Sequence, residues 1–146
     1  MIVGRTYNTC DLGACLDLPF KLRRLGVLAI PLEYLPVDSV DISDQYRDMY
    51  WRSGQRILAA AVLVEKDPRL QAIYLTNFNC GPDSFLISYF RRLMNGKPFL
   101  ELEVDDHTAD AGMLTRCEAF FDGLRKPAVA AESTTTPPGL PLSADA

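Results

Sequence analysis

The sequence predicts an α/β lobe, a small open parallel sheet of about four strands flanked by helices, followed by a disordered carboxyl-terminal tail. Three observations predict it. Short apolar runs rich in β-branched and aromatic residues alternate with stretches of helical period. Two of those runs end abruptly in polar, chemistry-bearing clusters, at the carboxyl ends where open parallel sheets present their sites. Beyond Lys126 both periods stop, and Ala, Ser, Thr and Pro take over. A chain of 146 residues with 48% hydrophobic content suits one core, so we expect a folded lobe over residues 1–125 and a tail over 126–146.

The elements follow in order. Ile2-Val3 reads as a short strand at the very start of the chain. Leu18 to Leu25 reads as a helix, with Asp17 as candidate N-cap, Pro19 in the first turn and Gly26 past the end. Val27 to Leu32 is the second strand, closed by Pro31 and Pro36. From about Tyr46 to Val64, apolar residues recur at helical spacing through Tyr50, Gly54, Ile57, Leu58 and Ala61. A strand over Ala72–Phe78, a helix near Phe85–Met94, a strand over Phe99–Val104 and a helix near Ala109–Arg125 complete the pattern. Strands separated by helices mean βαβ units, a parallel sheet and right-handed crossovers, as in one lobe of a flavodoxin-like or Rossmann-like fold. A first strand with nothing before it to cover its edge suggests a lobe of something larger.

Charge narrows the function. The net charge is −4 and the isoelectric point near 4.9, so a nucleic-acid backbone is not the expected partner. No apolar run is long enough to span a membrane, and the amino terminus shows no signal-peptide pattern. Four cysteines without an export signal point to reduced thiols in a cytoplasm. The chain lacks a Walker loop, a GxGxxG turn and a G-x-S-x-G elbow, so no ATP site and no serine nucleophile are expected.

The segment Ala72-Ile-Tyr-Leu-Thr-Asn-Phe-Asn-Cys80-Gly-Pro-Asp-Ser84 carries the strongest chemical signal. A buried strand delivers Cys80 to its carboxyl end just before a helix opens, and free N–H groups with the helix dipole favour thiolate there. Asp83 competes for the same field. The bland alternative is a small apolar residue closing a strand. Cys117 shares an apolar helix face with Leu114, Phe121 and Leu124 and reads as a core thiol. Cys10 and Cys15 form a C-x4-C pair in a loop, either a weak metal signal or two small residues in a tight turn. Glu101 and Glu103 alternate with apolar residues and share one strand face, with Asp105 and His107 just beyond. That group suits either a divalent metal and acid–base chemistry or the polar capping of the next helix. His107 is the only histidine, which excludes a two-histidine site within this chain.

Several motifs occur in a familiar order. They are Gly4-Arg-Thr-Tyr-Asn-Thr9, Leu16-Asp-Leu-Pro-Phe-Lys-Leu22, Leu25-Gly-Val27, Asn77-Phe-Asn-Cys-Gly-Pro-Asp-Ser-Phe85 and Glu101-Leu-Glu-Val-Asp-Asp-His-Thr-Ala-Asp-Ala-Gly112. With Thr115-Arg116 and Glu118-Ala-Phe120, they make residues 2 to 124 resemble the carboxyl-terminal lobe of the 2-hydroxyacyl-CoA dehydratase-like domain, as in CoA-substrate-specific enzyme activase proteins. The resemblance implies an iron–sulfur cluster, of the 4Fe-4S kind, held by cysteines from two lobes, with Cys80 in the place of a ligand. It implies as partners a cysteine-bearing N-terminal lobe and an actin-like ATPase activator domain, with acyl-CoA as a further partner. The first lobe and the ATPase domain are absent from this chain, and Thr6 stands where the family has proline. Cys10 and Cys15 are the candidate additional ligands, and Asn77, Asp83, Ser84, Glu101, Glu103, Asp105 and His107 the further candidate site residues. The expectation is an iron–sulfur electron-transfer lobe that needs a partner for its cluster. The alternative is a non-catalytic α/β binding or scaffolding lobe without one.

Overall fold

The computed structural model describes residues 1–77, 81–105 and 110–125. Its spine is a parallel sheet in which Ala72–Thr76 (β2) lies between Ile2–Val3 (β1) and Phe99–Glu103 (β3). Ile2 pairs with Ile73, and Ala72 through Thr76 pair in register with Phe99 through Glu103. All five residues of β2 are buried, as a central parallel strand covered on both faces requires.

Alternation along the strands sorts the core into two halves. Val3, Ala72 and Tyr74 face Ile57, Leu58, Ala61 and Val64 of helix Arg52–Lys66 (α3) and Leu86 and Phe90 of helix Gly81–Leu93 (α4). Ile2, Ile73, Leu75 and Leu102 face Leu18 and Leu22 of helix Leu18–Arg24 (α2) and Met113 and Cys117 of helix Asp110–Arg125 (α5). Helices on both faces of a parallel sheet make the α/β architecture expected from the pattern. Edge-to-face contacts of Phe90 with Tyr74 and Phe99, at 5.0 Å each, fix the first half.

The expected fourth strand is reduced to a bridge. Residues 27–31 run beside β1, but only Ile2 and Pro31 form a bridge, with the Ile2 N–H donating to the Ile30 carbonyl at 2.9 Å. Pro31 has no N–H to extend a ladder, and the chain turns at once into short 3-10 turns at Leu32–Tyr34 and Val37–Ser39. The described residues therefore hold three strands.

Local chemistry explains the helix ends. Gly26, at φ +75°, closes α2 in a Schellman arrangement: its N–H donates to the Arg23 carbonyl, and the Val27 N–H reaches back to Leu22. Asp17 precedes α2 in a left-handed conformation, φ 55°, and its side chain does not cap the helix. The helix expected from Tyr46 starts at Arg52, because Trp51 is extended and the residues before it form turns. A five-residue helix at Thr6–Cys10 (α1) follows β1; it is too short to show a period in sequence. Gly4 makes that exit possible, since a Cβ there would lie 2.8 Å from the Leu75 carbonyl oxygen.

Candidate functional site

The carboxyl edge of the sheet gathers the end of β1, the end of β2, the first turn of α4 and the residues past β3. Cys80 and His107 lie outside the described residues. The described side chains at this edge form a defined polar frame.

Asp83 is its centre. It is 2% exposed, in the first turn of α4, and the Arg5 guanidinium grips it with Nε at 3.2 Å and Nη2 at 3.1 Å. The Thr76 hydroxyl donates to the same carboxylate at 3.3 Å. One buried carboxylate thus joins the exit of β1, the last residue of β2 and the start of α4. A two-pronged guanidinium–carboxylate pair is the strong form of such a contact, and burial of the acid makes it necessary. Arg5 also donates to the Tyr7 hydroxyl at 2.7 Å, and its guanidinium carbon lies 5.3 Å from the Trp51 ring centre. Gly54 seats that indole: a Cβ there would come within 3.2 Å of the Trp51 ring and 2.6 Å of the Met49 sulfur.

Asn77 ties the strand ends together, its side-chain amide donating to the Val104 carbonyl at 3.1 Å. Its own amide oxygen is buried without a partner among the described residues. The Val104 N–H donates to the Thr76 carbonyl at 2.8 Å, continuing the sheet one step past β3. Ser84 is exposed and donates to the Gly81 carbonyl at 3.0 Å, a contact local to the first turn of α4.

The acidic strand is divided by its surroundings. Glu101 and Glu103 lie opposite Tyr74 and Thr76 and so share a face, as the alternation implies. Glu101 is half-buried and accepts from Arg91 at 3.2 Å, while Glu103 is exposed and Asp105 half-buried. Arg116 donates to the Glu101 carbonyl at 2.7 Å, covering part of the strand edge. Among the described residues, no group of three His, Cys, Asp or Glu side chains is placed to hold a metal ion.

The three described thiols have separate settings. Cys10 ends α1 and is exposed; partial burial and a hydrogen bond to Glu33 push its thiol pKa up. Thr9 donates to Glu33 at 2.7 Å, so that carboxylate belongs to the α1 side. Cys15 is fully buried beside Leu18 and Leu22, its thiol directed at the Leu12 carbonyl at 3.7 Å and raised in pKa by burial. The structure does not bring Cys10 and Cys15 into one environment. Cys117 is a core thiol, 1% exposed, with burial pushing it up to about 11.

Arg5, Thr76, Tyr7 and Trp51 are the participants that sequence reasoning missed. Arg5 and Asp83 stand 78 positions apart, and no local pattern links them. The available signal was a rule: an aspartate in a helix that must be buried needs a cation from somewhere. Comparison of the chain with protein-family models, with curated proteins and with solved structures finds no match.

Proposed function

We propose that this lobe belongs to the 2-hydroxyacyl-CoA dehydratase/activase system, lends Cys80 to an iron–sulfur cluster shared with a cysteine-bearing N-terminal lobe, and passes electrons supplied through an actin-like ATPase activator. The observation that carries the reading is the Arg5–Asp83–Thr76 lock at the carboxyl edge. It fastens β2 to α4 on either side of the segment that contains Cys80, and Cys80 directly precedes the first residue of α4. Pairing with Arg5 also offsets the negative charge of Asp83, so that carboxylate competes less with a thiolate for the positive end of α4.

The thiol inventory supports sharing. Cys15 and Cys117 are core residues, and Cys10 is the described thiol open to solvent. A four-thiolate cluster needs ligands that the described thiols do not supply together, so the reading calls for the second lobe. The cluster, when bound, supplies one-electron chemistry; this chain's residues anchor the strand-to-helix junction that presents the ligand.

Anaerobic copurification with the cysteine-bearing lobe, followed by iron and sulfide analysis, tests the reading. The wild-type complex should contain near-stoichiometric cluster, and Cys80→Ser should lose most of it while the apo fold persists. A complex that never binds iron, or a Cys80→Ser variant that retains all of it, favours the scaffolding lobe.

A further inference from the structure

Three arginines line one groove away from the sheet edge. The groove encloses about 250 Å³ between the turns of residues 37–50 and the first two turns of α3. Arg52 and Arg56 converge on Asp38, at 3.1 Å and 3.9 Å. Arg56 is 23% exposed, and its Nε is buried without a hydrogen bond. Arg47 comes from the groove's loop wall and makes no ion pair among the described residues. The other acid, Asp41, accepts the Ser43 N–H at 2.8 Å, which holds its carboxylate in the loop while it stays charged. Three cations face two carboxylates, in a molecule whose net charge is −4.

Gathering like charges costs free energy unless an anion offsets it. Asp38 and Asp41 together balance two of the three guanidinium charges and leave one in excess on the groove. A carboxylate presents two acceptor oxygens, whereas a phosphate monoester presents three around a tetrahedral centre and carries nearly two charges, so it can engage several forks together. Tyr46 lines the groove, and its ring is held against Tyr89 at 4.9 Å between centroids. We infer that this groove binds a small phosphate monoester, with Arg47 and Arg56 as the principal ligands and Tyr46 flanking the attached group. The inference stands apart from the cluster reading and uses none of its residues.

Calorimetry on the whole chain in phosphate-free, low-salt buffer tests it, with phenyl phosphate as probe and benzoate, sulfate and ATP as comparisons. Phenyl phosphate should bind saturably at one site and more tightly than benzoate or sulfate. Arg47→Met should weaken it about tenfold and Arg47→Lys less, with the melting temperature unchanged because Arg47 is exposed. Arg56→Met should weaken it as well, and Arg47→Met alone decides the matter if that variant does not fold. Absence of saturable binding, equal affinity for benzoate or sulfate, or an unaltered affinity in Arg47→Met overturns the site. Tight ATP binding overturns the small-ligand assignment.

Discussion

Asp83 shows how a single side chain can hold three elements in place. Its carboxylate is buried, so its stability depends on Arg5 remaining beside it. Arg5→Met should cost about 3 kcal/mol in urea unfolding, because it leaves a buried charge without its cation and strips the packing over Trp51. Asp83→Asn should cost less, since the amide still accepts from Thr76 and Arg5 stays partly solvated. Equal losses in the two variants would mean that packing, and not charge, dominates.

The thiols separate by reactivity and by pH. Among the described thiols of the native protein, a maleimide reagent should label Cys10, at a rate that increases with pH, and reach Cys15 and Cys117 only on unfolding. Cys117→Ser should lower stability by about 1–3 kcal/mol, since a hydroxyl is buried with no assured partner. Burial holds the folded Cys117 thiol near 11 against an ordinary value of 9.0, so between those pH values the unfolded chain releases a proton that the folded chain keeps. Stability from this group should therefore fall as pH rises from 9 towards 11, and stay level below that window. Urea midpoints across the range in wild type and in Cys117→Ala measure it; identical slopes would exclude Cys117 as the source.

At the scale of elements, the glycines test the turns. Gly26→Ala should cost about 1 kcal/mol, because φ +75° strains any residue with a Cβ even though no atom lies within 4 Å of it. Gly4→Ala should cost more. Its Cβ would press on the Leu75 carbonyl oxygen, a backbone atom that moves only if β1 separates from β2. A thermal melt in which Gly26→Ala is the worse of the two would show that the strand pair yields more easily than the turn.

Among the described residues, the two half-cores lie against opposite faces of the sheet. Both rely on the buried central strand β2, which should make the described fold unfold as one unit. Residues 126–146 lie outside the described residues, and their composition offers no apolar period to pack against it. Deleting them should leave the melting temperature nearly unchanged. A drop of several degrees would show that the tail docks on the lobe.

The sequence by itself determined the class of fold, because burial of a central parallel strand and one-sided burial of its helices write their periods directly into the chain. The strands expected over Ala72–Phe78 and Phe99–Val104, which the structure gives as Ala72–Thr76 and Phe99–Glu103, α2 and the core position of Cys117 were legible this way. Sheet width was less legible: the apolar run at residues 27–31 looks like a strand, but Pro31 leaves it a single bridge. The site was legible only as a list of residue types near two strand ends. Tertiary structure alone decided that Asp83 is gripped by Arg5, that Glu101 is drawn to Arg91, that Cys10 and Cys15 part company and that three arginines share a groove. The Arg5–Asp83 contact joins residues 78 positions apart, and the others depend on how neighbouring elements pack. Their free energy comes from geometry and desolvation, which no local period records.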